Sequence, residues 1–143
     1  MMIDSAGGVS VGVALAQARA NIEAMRGQAM TVIEAGITAL EAVPAPATLA
    51  ETPARLDQAY RAATTLIDAA GPFELFDLCR AATGLCDLIG AIDPEQPFDW
   101  RIVTVHARSL RLLQTLPLEA AEERARILDS LHEVIERKLA QTG

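Results

Sequence analysis

The chain has 143 residues, of which 12 are Lys or Arg and 19 are Asp or Glu, so its formal net charge is −7. This length is typical of one domain, and we expect residues 1–143 to form a single one. The acidic balance argues against a general nucleic-acid binder, because such a protein needs basic residues to neutralise phosphates. A hydrophobic fraction of 51% excludes an intrinsically disordered chain.

The composition favours an all-α fold. Aromatic residues make up 3% of the chain, good helix formers dominate, and no segment alternates apolar and polar residues as a strand does. Breaks at Gly and Pro divide the chain into about five helices with short connections. We therefore expect an antiparallel up-and-down helical bundle whose first helix is long.

The first predicted helix runs from Val11 to Val43, with Ser10 as its N-cap and a flexible segment, residues 1–10, before it. Pro44 ends it, because proline lacks the N–H that would continue the helix. Its length, at roughly 1.5 Å per residue, exceeds that of the others. It therefore either bends at a glycine or projects beyond the bundle and pairs with another chain. Its expected buried face has spacings of three and four residues: Leu15, Ala18, Ile22, Met25, Ala29, Val32 or Ile33, Ile37 and Leu40.

The second and third helices follow from similar signals. Thr52 and Pro53 are typical of an N-cap and a first turn, and the second helix runs to Ala70 before Gly71. Pro72 is expected to start the third helix, whose regular apolar spacing indicates packing in a bundle. That apolar set is Leu75, Leu78, Ala82, Leu85, Ile89 and Ile92.

The last two helices are predicted from Asp99, which can cap the fourth helix up to about Thr115, and from Pro117, which opens the fifth. The fifth helix has acidic residues in its first turns and Arg137 and Lys138 near its end, as the helix dipole favours. Its expected buried side is Ile127, Leu128, Leu131, Val134, Ile135 and Leu139.

The two cysteines, Cys79 and Cys86, lie about 10.5 Å apart along a helix, too far for a disulfide. Without a nearby His they form a poor metal site, and we expect buried thiols in a reducing cytoplasm. The N-terminus lacks the basic region of a signal peptide, and no apolar run approaches the ~18 residues that span a bilayer. The sequence thus predicts a cytoplasmic protein without a membrane, metal or cofactor partner.

Histidines are the side chains that titrate nearest neutrality. His106 lies near the centre of the apolar arc of the fourth helix, with Val105 and Leu112 also on the apolar side. One interpretation is a partly buried histidine bonded to a backbone or side-chain group. The other is a phosphoacceptor histidine in a groove of the bundle. His132 lies at the edge of the fifth helix's apolar face, where we expect a structural role.

Basic residues cluster on the opposite side of the fourth helix. Spacings of three, four and three place one set of side chains on one face: Arg101, Thr104, Arg108 and Arg111. This face either pairs with nearby carboxylates, such as that of Asp99, or is a docking strip for an acidic partner, because complementary charge steers encounter.

Enzyme signatures are absent from the sequence. Neither G-x-S-x-G, H-E-x-x-H, a Walker loop nor a dinucleotide fingerprint occurs, and no Glu-x-x-His pair indicates a di-iron bundle. His106 is the one candidate for a catalytic role, so we expect a protein that is not an enzyme unless it relays phosphate through His106.

Residues 78–89 read LCRAATGLCDLI and residues 105–113 read VHARSLRLL. These segments of the third and fourth helices resemble small helical proteins encoded with bacterial chemotaxis genes, the CheE-like group. The resemblance spans residues 78–113 and implies a cytoplasmic component of a two-component or chemosensory circuit.

The third helix is also similar to the signature helix of histidine-phosphotransfer bundles, in which an alanine precedes the phosphoacceptor histidine and Leu, Lys and Gly follow. Ala82 matches the alanine and Leu85 the leucine. Thr83, Cys86 and Asp87 stand in place of the histidine, the lysine and the glycine. The resemblance therefore implies a bundle that has lost phosphotransfer on this helix.

Three hypotheses on function remain open. The first is a non-catalytic signalling bundle that binds a receiver domain or a sensor kinase through the third and fourth helices, using the basic face. The second is a histidine phosphotransfer protein that uses His106. The third is a structural homodimerisation module whose long first helix pairs with its copy.

Overall fold

The computed structural model describes the backbone of residues 2–142 and the side chains of residues 10–140, and the regular secondary structure in this part of the chain is helical. Within that part there are five α-helices and no strand, which confirms the predicted all-α fold. The helices are α1 (Met2–Ala42), α2 (Thr52–Ala70), α3 (Phe76–Ala91), α4 (Arg101–Thr115) and α5 (Ala121–Thr142). In the same part of the chain, none of the helices has the length and apolar character needed to cross a membrane.

The centre of the bundle is α3, which contacts α2, α4 and α5. In addition, α1 packs against α2 and α4, and α5 packs against α4. The apolar spacing predicted for α3 is confirmed, because Leu78, Ala82, Leu85 and Ile92 of that set are buried. The largest fully buried apolar side chains come from α1 to α4: Ile33, Ile37, Leu40, Leu66, Leu85, Leu88, Val103, Leu110 and Leu113.

The first two helices begin differently from the prediction. Ser10 lies inside α1, which starts at Met2, so the predicted N-cap is wrong. The flexibility predicted for residues 1–10 falls on residues that, except for Ser10, lie outside the described side chains. A 3₁₀ turn at Leu49–Glu51 leads directly into α2. Thr52 therefore already has helical torsion angles (φ −53°, ψ −48°) and does not act as a cap.

Two later helices also begin after the predicted proline. Gly71–Phe73 forms a 3₁₀ turn, and Glu74 then takes the left-handed conformation with φ 58°. A left-handed residue interrupts a right-handed helix, so α3 begins at Phe76 and not at Pro72. Similarly, Pro117 lies in the turn before α5, which begins at Ala121.

The first helix projects beyond the bundle. Its 41 residues make a helix about 60 Å long at 1.5 Å per residue. Gly36 packs closely on α2, where an added Cβ would lie 3.1 Å from Leu66 Cγ. Further towards the N-terminus, the Arg26 guanidinium lies 5.1 Å from the centre of the Phe73 ring. All side chains of residues 10–28 are exposed, so this segment extends away from the other helices.

A buried cation joins three helices at the other end of the chain. Arg124 of α5 is 6% exposed, and its Nε donates to Asp77 Oδ2 of α3 at 2.6 Å. Its Nη1 donates to the carbonyl oxygens of Leu113 and Leu116 at 2.8 and 3.1 Å. The carbonyls at a helix end lack partners within the helix, and Pro117 has no N–H for Leu113. The guanidinium therefore supplies the donors that the end of α4 lacks.

We expect Arg124→Met to lower the free energy of unfolding by about 2–4 kcal/mol, because it leaves two carbonyl oxygens and a half-buried carboxylate without their donor. Urea denaturation followed by circular dichroism measures this loss. The matched control is Arg126→Met on the same helix, whose side chain is 74% exposed and lies 3.8 Å from Glu122. The control should change the free energy by no more than about 0.5 kcal/mol. Equal losses in the two variants would contradict the role given to Arg124.

Candidate functional site

The exposed face of α4 is the candidate functional site, and it differs in part from the predicted basic face. Its exposed residues recur every three or four positions and so share one side of the helix: Arg101, Val105, Arg108, Leu112 and Thr115. The placement of Val105 and Leu112 on the apolar inner side is wrong, because they are 36% and 51% exposed. We call Arg101, Val105, Arg108 and Leu112 the α4 stripe.

The packing of α4 explains why its buried face is rotated relative to the predicted one. Its buried residues are Ile102, Val103, His106, Ala107, Leu110 and Leu113. Contacts with α1, α3 and α5 set the centre of that buried face. A helical wheel weighs each residue by its own hydrophobicity, so it undervalues a small residue such as Ala107, which is buried in the core. Val105 and Leu112 are consequently left in solvent beside the arginines.

Arg101 lies at the start of the stripe and is paired within its own turn. Its Nη2 and Nε donate to the Asp99 carboxylate at 2.8 and 3.0 Å, and the guanidinium lowers the pKa of that carboxyl. Asp99 also accepts the backbone N–H of Arg101 at 3.0 Å, but the residue at the N-cap position of α4 is Trp100, so the predicted N-cap lies one residue too early. The interpretation that basic residues of this face pair with nearby carboxylates is correct for Arg101.

Arg111 points away from the stripe and towards α1. Its Nη1 and Nη2 lie 2.5 and 2.6 Å from the carboxylates of Glu34 and Glu41, and Nη2 also donates to Thr38 Oγ1 at 3.2 Å. The hydrogen bond from Arg111 lowers the pKa of Glu34 below its ordinary value. Arg111 therefore fixes α4 against α1 and has few donors left for another molecule.

Thr104 and Arg108 complete the predicted set. Thr104 is half-buried, and its hydroxyl donates to the Trp100 carbonyl at 3.4 Å. Arg108 is exposed and forms no ion pair with any side chain in the described part of the chain. Both residues border a groove of about 220 Å³ between α1 and α4 that also contains Glu41. The structure thus separates the four predicted residues into one available cation, Arg108, one locally paired cation, Arg101, and two residues turned towards the protein.

His106 is fully buried. Its Nδ1 lies 2.8 Å from the carbonyl oxygen of Ile102, to which it donates if the proton is on that nitrogen, and Nε2 has no hydrogen-bond partner. Burial lowers the pKa of His106 below its ordinary value, because a charged imidazolium loses its hydration. In this arrangement the ring is neutral near pH 7 and is not exposed to a second protein.

The remaining chemically active groups are separated from the α4 stripe. His132 is exposed, and its Nε2 lies 2.9 Å from Glu136 Oε1 on the same helix. Cys79 is half-buried and Cys86 is buried, both as free thiols, and burial raises their pKa values. Within the described residues, no three His, Cys, Asp or Glu side chains form a group that could hold a metal ion.

Sequence reasoning missed Arg124 and the carboxylate partners of Arg111. Arg124 precedes the buried Leu128 by four residues, so an arginine on an apolar face was the available signal. Glu34 and Glu41 are seven residues apart and share a side of α1, but only the contact between α1 and α4 shows what they bind. No protein-family model matches the chain, and neither a curated protein nor a solved structure shows significant similarity to it.

We expect the protein to become less stable as the pH falls below about 6.5, the ordinary pKa of histidine. The pKa of His106 is lower in the folded protein than in the unfolded chain. Between these two pKa values the unfolded state binds more protons than the folded state, so the free energy of unfolding decreases as the pH decreases. A single group contributes at most about 1.4 kcal/mol per pH unit.

Urea denaturation at a series of pH values measures this effect, with His106→Leu as the variant that removes it. His132→Gln is the matched control, because it removes the exposed histidine of α5 and leaves the buried one. In the control, the free energy of unfolding should depend on pH as in the wild type at pH values above about 5. If His106→Leu kept it as well, His106 would not be its cause.

Proposed function

We propose that the protein is a non-catalytic signalling bundle that binds a receiver domain or a sensor kinase in the cytoplasm, and that its helices follow the antiparallel up-and-down order. The observation that carries this proposal is the α4 stripe, in which Val105 and Leu112 alternate with two exposed guanidinium groups. The resemblance of residues 78–113 to chemotaxis-associated CheE-like proteins supports the class of partner.

The α4 stripe has the chemistry of a protein-binding surface. Interfaces combine apolar side chains, which gain free energy when they leave water, with arginines that fix the orientation of the partner. Val105 and Leu112 supply the apolar part, and Arg108 supplies a cation without an ion-pair partner among the described side chains. Because Arg108 has no such partner to lose, an acidic group can bind it without breaking an existing ion pair.

A receiver domain presents an acidic face around its phosphorylated aspartate, which suits such a surface. The groove beside Thr104 and Arg108 is large enough for one side chain of the partner. The proposal narrows the expected surface from the third and fourth helices to α4. In this proposal α3 supports α4, against which it packs.

Phosphotransfer through His106 is the alternative, and it needs the ring to reach the surface. The burial of His106 and the contact of its Nδ1 with the Ile102 carbonyl favour the non-catalytic proposal. Incubation with a phosphorylated receiver or kinase distinguishes phosphotransfer from the non-catalytic proposal. Acid-labile phosphate that disappears in His106→Ala would favour phosphotransfer and overturn the non-catalytic proposal.

We expect the double variant Arg108→Glu with Leu112→Ser to weaken binding to a receiver domain by at least about tenfold, because it reverses the available charge and removes the largest exposed apolar side chain of the stripe. Isothermal titration against a panel of receiver domains and sensor kinases, with the receivers measured with and without a phosphoryl mimic, measures the affinity.

The matched control is Arg61→Glu on α2, whose side chain is 79% exposed and forms an ion pair with Asp57 in the turn before it. It should bind like the wild type. Absence of binding to every receiver and kinase would overturn the proposal. An equal loss in the control would show a general effect of charge and would overturn the assignment to α4.

A further inference from the structure

We propose that the projecting segment of α1, residues 10–28, pairs with the same segment of a second copy of this chain. We call this segment the arm. The inference goes beyond the proposed function and does not depend on it, because the arm is distinct from α4.

The arm carries an unpartnered apolar seam. Its members follow one another at spacings of four and three residues, the period at which two helices pack side by side: Val11, Leu15, Ala18, Ile22 and Met25. The four large side chains of the seam are 52% to 60% exposed. Apolar side chains at this spacing gain free energy when a second helix covers them.

The seam is a continuation of the buried face of α1. Beyond Met25 the same spacing leads to Ala29, Ile33, Gly36 and Leu40, the last three of which are buried. Along that part, α2 covers the helix, as the close approach of Leu66 to Gly36 shows. Towards the N-terminus, Phe73 reaches only as far as Arg26. The arm therefore exposes the same apolar face of α1 that α2 covers further along the helix.

The surface area of the chain agrees with a second copy as that neighbour. A compact monomer of 15.2 kDa exposes roughly 7,100 Å². This chain exposes 8728 Å². The excess, roughly 1,600 Å², exceeds the roughly 800 Å² that each partner buries in an interface of standard size. The chain therefore exposes more surface than a compact monomer of its mass, as expected when a helical segment is left uncovered.

Charge favours contact between the arms over contact between the bundles. The charged residues of the arm are Arg19, Glu23 and Arg26, so its net charge is +1 in a chain of −7. Two acidic bundles repel at short range, whereas two nearly neutral arms do not. The arm also holds the contact at a distance from the rest of each bundle, because it extends beyond the other helices.

Sedimentation velocity and light scattering of the full chain over a concentration series test the proposal. We expect a mass twice that of the 15.2 kDa chain. Replacement of two seam residues, Leu15→Glu with Ile22→Glu, should weaken the dimer by at least about tenfold, because four carboxylates then enter one apolar interface.

The matched control is Val13→Glu with Ala20→Glu, which adds the same two charges at the same spacing on the opposite side of the arm. It should dimerise like the wild type. Both variants should keep the wild-type urea midpoint at low concentration, since the arm lies outside the core. A wild type that stays monomeric, a seam variant that stays dimeric, or equal dissociation of the control would each overturn the proposal.

Discussion

Pro117 has no N–H, so the carbonyl of Leu113 near the end of α4 lacks its usual intrahelical donor. Arg124 supplies that donor from α5 and binds Asp77 of α3 with the same guanidinium. A planar guanidinium can serve several acceptors in fixed directions, which a lysine cannot. Because this group joins three helices, it holds the end of α4 against α3 and α5.

Once α4 is held there, each of its arginines has a different environment. Arg111 is turned to α1 and meets Glu34 and Glu41, whereas Arg108 is left in solvent beside Val105 and Leu112. The same rotation places the His106 ring in the core. One side of α4 therefore packs in the bundle, and the other side is the proposed binding surface. Arg111 belongs to the packed side.

The two proposed surfaces differ in physical character. The α4 stripe is small and combines charged and apolar side chains. Such a surface suits a transient partner, because part of the binding free energy comes from charges that salt screens. The seam of the arm is apolar and continues a face that is already buried elsewhere in α1, as suits a permanent contact between copies. A dimer joined by the arms would carry two α4 stripes and could bind two partners.

Sequence reasoning alone predicts the five helices, the central apolar spacing of α3 and the inward position of His106, because these depend on the local period of apolar residues and on breaks at Gly and Pro. The packing of the whole fold sets which residues of α4 reach solvent, because the neighbours of a helix set the centre of its buried face. It also decided the partners of Arg111 and Arg124, which lie on other helices, far away in the sequence. Sequence periodicity describes one helix at a time and cannot show which helix lies beside it.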